Sequence, residues 1–258
     1  MSFSIGIDVG VSKISGARVN IDTGRIIDRR VMDTRPSRGA DVLLVDVVGF
    51  ARGLGADAMG IGIAVPEAVG PKSAILTADH WDWRETDMIT AFEEIKPAWR
   101  FLSDAHAGGV GEAKLGAGRD LASFLYVHAG QNVSATVMQG SRPASEPDPA
   151  TVTLNAQALE ESASGLAIAR AAGAVTAAHA IADASQRAVV EAAATALAEA
   201  IVTAASAADF GVVIIGGPVG LNDVFRSLVA ERLGDGLELL PAGLGADAGL
   251  IGAALAAF

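Results

Sequence analysis

Gly6-Ile7-Asp8-Val9-Gly10-Val11-Ser12-Lys13 is the stretch on which the fold turns. The strand-like run Phe3-Ser4-Ile5-Gly6-Ile7 leads into it, an acid closes the strand, and glycine follows two residues later. Gly10 allows backbone N–H groups to come close to an anion. Asp8 can hold Mg²⁺ or its water shell beside a phosphate. Ser12 and Lys13 can donate hydrogen bonds or charge. The same residues equally suit a plain turn, with Asp8 as a turn former.

Outward from this turn, residues 15–20 continue as a second strand, Asp22-Thr23-Gly24 signals a hairpin, and residues 25–33 return. The opening is therefore a three-strand antiparallel meander. Residues 40–54 carry apolar positions at helical spacing. Residues 59–65 form a strand stopped by Pro66, 89–94 read as a helix, 99–102 as a strand, and 105–115 as a helix. The pattern then restarts. Strands at 123–129 and 133–138 precede a Pro/Ser/Asp-rich loop at 141–150. Helices follow at 159–172, 174–179 and 185–208. A strand at 211–215, a helix at 223–233, a strand at 237–240 and a helix at 249–258 complete the chain. A meander feeding alternating strands and helices thus occurs twice. This predicts two α/β halves with a cleft between them.

Composition narrows the chemistry. Hydrophobic residues make up 51% of the 258, enough for a sizeable core. There is no cysteine, which excludes disulfides, thiolate metal sites and thiol nucleophiles. The net charge of −11 and the lack of a Lys/Arg cluster argue against nucleic acid as a partner. No signal-peptide pattern opens the chain, and the cytoplasm is the expected compartment. The apolar stretch 188–208 comes nearest to a membrane span, but Glu191, Glu199 and Asp209 punctuate it. No membrane association is expected. The histidines at 80, 106, 128 and 179 form no pair of metal-ligand type, so no zinc site is expected.

Four further motifs each admit two readings. Asp104 in Phe101-Leu102-Ser103-Asp104-Ala105-His106-Ala107 follows a strand and opens a helix. It suits an N-cap or a general base that takes a proton from an attacking hydroxyl. The glycines of Gly60-Ile61-Gly62-Ile63-Ala64-Val65-Pro66 permit close backbone packing. Ile214-Ile215-Gly216-Gly217-Pro218 suits a nucleotide base or ribose, or a simple strand-to-helix turn. Glu160 in Leu159-Glu160-Glu161-Ser162-Ala163-Ser164-Gly165 sits at a helix start, where the dipole alone favours an acid. Trp81 and Trp83 flank Asp82 and suit either packing or stacking on a sugar.

Taken in order, these motifs resemble the ROK family (repressors, open reading frames, kinases) of the actin/hexokinase/Hsp70 superfamily. Gly6 to Lys13 resembles the first phosphate motif, with Ser12 for the usual Thr. Gly60 to Pro66 resembles the glycine-proline segment, with Glu67 in place of glycine. Ser103-Asp104-Ala105-His106-Ala107 stands for Asn-Asp-Ala-Asn-Ala, and Gly111-Glu112-Ala113 and Gly116-Ala117-Gly118 follow. Leu159-Glu160 and Ser164-Gly165, then Ile215-Gly216-Gly217, then Gly245 to Ala254 match later motifs. There are departures. The second phosphate loop, glycine-rich in the family, reads Gly130-Gln131-Asn132-Val133-Ser134-Ala135-Thr136. The Glu-x-Gly-His sugar motif and the His/Cys zinc cluster are missing. Residues 145–153 stand there, with Glu146 as a loose substitute. No winged-helix segment is seen.

The resemblance implies two ribonuclease-H-like (actin-like ATPase) lobes. Their expected extents are 1–115 and 116–246, with the helix 247–258 packing back on the first. It implies an ATP- and Mg²⁺-dependent sugar kinase with Asp104 as general base and Asp8 holding Mg²⁺ through water. Asp8, Gly10, Ser12, Lys13, Gly130, Gln131, Asn132, Gly216 and Gly217 would contact ATP. Ser103, Asp104, Glu160, Pro66 and Glu67 would contact the sugar. A homodimer is implied as well. The altered phosphate loop leaves a second reading: a sugar- or nucleotide-binding regulatory protein without kinase activity.

Overall fold

The computed structural model describes residues 2–34, 39–55, 57–78, 80–83, 86–95, 97–143 and 156–257. The segment 145–153, with Glu146, lies outside the described residues. The described chain divides into two compact units, one of residues 2–111 and 247–257, the other of 112–143 and 156–246.

The first unit opens with β1 (Phe3–Val9), β2 (Lys13–Asn20) and β3 (Ile26–Asp33). The register runs from Val9 opposite Ile14 to Phe3 opposite Asn20. The Asn20 side-chain oxygen accepts the N–H groups of Asp22 and Thr23, which fixes the turn into β3. Helix α1 (Gly39–Leu54), strand β4 (Gly60–Val65), short helix α2 (Met88–Phe92), strand β5 (Ala98–Ser103) and helix α3 (Asp104–Leu115) follow. The sheet order is β3-β2-β1-β4-β5, with β1, β4 and β5 parallel. Odd positions of β1 (Ile5, Ile7) meet Leu43, Leu44, Val47, Val48 and Ala51 of α1, spaced to form one helix face.

The second unit repeats this plan. It contains β6 (Ser123–Ala129), β7 (Val133–Gln139) and β8 (Arg142–Pro143). Helices α4 (Ala156–Ser162), α5 (Gly165–Ala171), α6 (Ala177–Ala182) and α7 (Arg187–Ala207) come next. Strand β9 (Val212–Gly216), helices α8 (Gly217–Gly220) and α9 (Asp223–Leu233), and strand β10 (Glu238–Pro241) complete it. The order β10-β9-β6-β7-β8 mirrors the first sheet element for element. The long apolar α7 has the length and composition of a membrane span, but its apolar stripe has a partner. Val190, Ala194, Leu197 and Ile201 join Val127, Val213, Ile215, Phe225 and Leu228 in the second core.

The chain then re-enters the first unit as α10 (Ala248–Leu255), on the sheet face opposite α1. The approach is backbone to backbone. A Cβ added to Gly6 would lie 2.0 Å from the Leu250 carbonyl oxygen, and one on Gly62 1.8 Å from that of Ala253. Helix α3 meets α10 the same way, since a Cβ on Gly252 would lie 1.7 Å from the Ala107 carbonyl oxygen. Only glycine admits such contacts.

Several elements differ from the sequence-based expectation. The single helix expected over 159–172 is two, broken at Ser164, whose hydroxyl caps α5 by accepting the Ala167 N–H at 3.0 Å. The break lets the Gly165 N–H reach the Gly130 carbonyl at 2.8 Å. The helix expected at 174–179 starts later, because Thr176 caps it. Arg142–Pro143 pairs with β7 where a loop was expected. The turn of helix at Gly217–Gly220 was not foreseen.

Candidate active site

Asp8, Pro66 and Ser103 lie near the ends of β1, β4 and β5. The register aligns Asp8 with Ala64 and Ala64 with Leu102, so the three ends share one edge of the sheet. The carboxyl ends of parallel strands are where open α/β sheets bind ligands. Asp8 is on β1 and Asp104 directly follows β5, two strands over, a spacing of about 10 Å across the sheet. Ser103 caps α3, its hydroxyl oxygen accepting the His106 N–H at 3.2 Å. The capping role considered for Asp104 therefore falls on its neighbour. Asp104 is buried in the first turn, with Oδ1 accepting the Ala105 N–H at 2.6 Å. Asp8 lies beside the start of α10, where a Cβ on Gly249 would be 4.0 Å from Oδ2. The positive end of that helix favours a carboxylate there.

The turn after β1 is tighter than expected. The Gly10 N–H donates to the Lys13 carbonyl at 2.9 Å, so it is not offered to an anion. Among the described residues, no backbone partner meets the N–H groups of Val11 and Ser12 at the tip. These two are the donors the turn presents. Gly10 is not in the left-handed region; what it supplies is proximity, since a Cβ there would be 3.1 Å from the Lys13 oxygen. Thr34 holds the turn from behind. Its hydroxyl donates to the Gly10 carbonyl at 2.6 Å and its N–H to the Ser12 carbonyl at 3.1 Å.

Glu67 was expected to meet substrate, but it is 0% exposed. Its Oε1 accepts the Trp81 N–H at 3.0 Å, which ties the loop after β4 to the tryptophan segment. Oε2 and the Trp83 indole N–H are buried and meet no partner at full hydrogen-bonding geometry among the described residues. Burial pushes the Glu67 carboxyl up to about 7, with the N–H groups around it offsetting part of the rise. Trp83 is also fully buried, edge-on to Phe101 at 5.9 Å and to Trp81 at 6.3 Å. The tryptophans pack in the first core rather than forming a stacking platform.

In the second unit, the Gly130-Gln131-Asn132 turn is held from several sides. The Gly130 N–H donates to the Asn132 carbonyl at 2.8 Å, and the carbonyls of Gly130 and Gln131 accept the N–H groups of Gly165 and Leu166. Glu160, expected to contact sugar, has Oε1 on the Val133 N–H at 2.6 Å. That oxygen braces the loop, as an acid beside a turn lacking its usual glycines is able to do. Gly216 and Gly217 stand where side chains would collide, Gly216 with the Tyr126 hydroxyl (2.3 Å) and Gly217 with the Ala129 carbonyl (2.4 Å). Gly217 also has φ +80°, which favours glycine.

Sequence reasoning missed two polar anchors, Thr34 and Glu112. Glu112 is fully buried, with Oε2 accepting the N–H groups of Ala117 (2.7 Å) and Gly243 (2.8 Å) and Oε1 that of Leu244 (2.9 Å). The signal was an acid on the helix ahead of Gly116-Ala117-Gly118, but nothing local names partners 131 and 132 residues away.

A cation at Asp8 would have to draw on water and phosphate oxygens, because no group of three His, Asp or Glu side chains stands together among the described residues. That is the usual coordination of Mg²⁺, and a single strand-end carboxylate fits it.

Known proteins resemble this arrangement. Residues 4–145 match the ROK family. The xylose repressor of Bacillus subtilis is 26% identical over 142 residues, a span of 53% of this chain and 37% of the repressor. The chain therefore spans well under half the length of that relative. A ROK family glucokinase from Streptomyces griseus, solved with glucose and AMPPNP, superposes with a TM-score of 0.81 at 23% identity, covering 98% of both chains. A ROK hexokinase from Thermus thermophilus gives 0.77 at 23% identity, over 99% of this chain and 97% of its own. These likenesses show that the fold is that of the actin-like ROK sugar kinases. With the family matched over more than half its length, the chain belongs to the ROK family.

Proposed function

We propose that the chain is a sugar kinase, transferring the terminal phosphoryl group of ATP to a hexose or amino-sugar hydroxyl. The observation that carries this reading is Asp104, buried at the head of α3 on the same sheet edge as Asp8. Asp104 accepts the proton of the sugar hydroxyl as its oxygen attacks the γ-phosphorus. The bond from that phosphorus to the β–γ bridging oxygen breaks, and ADP leaves. Ser103 fixes the start of α3 and with it the carboxylate. In the first unit, the Val11 and Ser12 N–H groups are the donors offered to phosphate oxygens. Asp8 would hold Mg²⁺, which when bound neutralises phosphate charge. The chain's own part is positioning and electrostatics. The test is coupled ADP release over a panel of hexoses and amino sugars. Turnover dependent on Mg²⁺ should fall roughly 10²- to 10⁴-fold in Asp104→Asn. No turnover with any sugar, or an unaffected variant, would sink the reading.

One observation favours a second reading, a regulatory protein that binds sugar or nucleotide without phosphorylating it. The Gly130 N–H is already bonded within its own turn, and side chains occupy positions where the family has glycine. Thermal shifts with ATP–Mg²⁺ and with sugars, taken separately, discriminate the two. A sugar shift without a nucleotide shift supports the regulatory reading.

A further inference from the structure

The turn after β6 has committed two of its backbone donors. The Gly130 N–H goes to the Asn132 carbonyl and the Val133 N–H to the Glu160 carboxylate. The side chain that precedes the turn has no such commitment. Leu125, Val127 and Ala129 of β6 enter the second core, so Tyr126 and His128 lie on the opposite face. His128 is the last of these, at the carboxyl end of the strand and level with Gly216 of the parallel β9. It is half-buried, and among the described residues it makes no hydrogen bond, ion pair or ring contact. Neither ring nitrogen is closed off from solvent. Its Nε2 lies against the turn, since a Cβ on Gly130 would be 2.6 Å from that nitrogen and 3.5 Å from Pro218 Cδ. The ring therefore stands where the Gly130 turn and the Gly216-Gly217-Pro218 turn come together. Ser134 of β7 is directly opposite His128 and shares its face.

We propose that the His128 imidazole is a phosphate ligand of the second unit, donating a hydrogen bond to the phosphate chain of the nucleotide in place of the backbone N–H groups that the turn has withdrawn. The proposal rests on the nucleotide site of the kinase reading and names the donor its second turn uses. A ring with no partner on either nitrogen can carry its proton on the one that meets the ligand. A hydrogen bond to a charged oxygen is also stronger than one between neutral groups. His128 and Gly216 end two neighbouring parallel strands, and open α/β sheets place ligands at such carboxyl ends. From Asp120 to Ser141 the sequence holds no Lys or Arg, so no cation of the hairpin takes that role instead. Gly130 has a part of its own. Its backbone is not left-handed, so conformation alone does not require glycine there. What its bare Cα provides is room for the ring to lie against the turn.

The test is calorimetric titration of the full chain with ATP–Mg²⁺ and, separately, with adenosine. His128→Ala and His128→Leu should each raise the Kd for ATP–Mg²⁺ at least about tenfold and leave adenosine binding unchanged. His128→Gln keeps an N–H donor and should recover most of that loss, whereas Leu keeps only bulk against Gly130. Gly130→Ala, which displaces the ring, should weaken ATP–Mg²⁺ binding in the parent but add little to His128→Ala. Circular dichroism melts verify that the variants fold. A parent that binds no ATP–Mg²⁺, a loss shared equally by adenosine, or a Gln variant no better than Leu overturns the proposal. A parent that shows the expected pattern of binding yet phosphorylates no sugar supports this ligand and sinks the kinase reading alone.

Discussion

At Glu67 a carboxyl group lies inside the first unit with one oxygen on the Trp81 N–H and the other without a well-formed hydrogen bond among the described residues. Its pKa in the fold, about 7, lies above the ordinary 4.5. The folded state thus holds this proton more tightly than the unfolded chain. The resulting stabilisation is fully present below pH 4.5 and is lost as the pH rises through about 7. A shift of this size corresponds to about 3 kcal/mol. Glu67→Gln keeps an acceptor for the Trp81 N–H and has no proton to lose. Its urea stability should stay level across that window while the parent's falls; parallel profiles would refute the assignment. Glu112 makes the opposite case, a carboxylate whose partners are all present. Glu112→Ala removes the shared acceptor of three partly buried or exposed N–H groups, and the loss should be about 1–3 kcal/mol. The amides of Gly243 and Leu244 should exchange faster in that variant. Thr34 and Glu112 were not legible in the sequence, since a lone Thr or Glu carries no mark of distant partners. Asp8 and Asp104 were, because each ends or follows a strand in a recognisable string.

Among the elements, glycines sort by what faces them. Gly62 sits in β4 against the backbone of α10, and a Cβ there would meet the Ala253 carbonyl oxygen at 1.8 Å. Gly62→Ala must push the helix off the sheet, with a loss above roughly 3 kcal/mol. Gly49 lies within α1 and faces open space. Gly49→Ala should raise stability by about 0.5–1 kcal/mol. Thermal melts of the two variants should move in opposite directions. A shared direction would mean that close approach is not what Gly62 provides. The element types of both sheets were legible, since strand periodicity and turn residues are local. The break at Ser164 was not. Apolar spacing runs through it, and only the contact of Gly165 with the Gly130 carbonyl requires the chain to turn there.

In the whole molecule, the first unit depends on a helix supplied by the last residues of the chain. Truncation after Leu244 strips α10 from the face carrying Gly6, Gly60 and Gly62. Amides of β1 and β4 should then lose protection from hydrogen exchange, while those of β6 and β9 keep theirs around their own core. Equal loss in both sheets would show that the two cores are not independently held. By itself the sequence determined the duplicated meander, the strand-end carboxylates and the family, because alternation, turn chemistry and motif strings are properties of neighbouring residues. Tertiary structure alone decided which groups those motifs still offer. It bonded the Gly10 and Gly130 N–H groups within their turns, buried Glu67 against Trp81, and placed Glu112 on amides far along the chain. Hydrogen-bond partners and burial are set by what packs alongside, and one-dimensional order does not encode that locally.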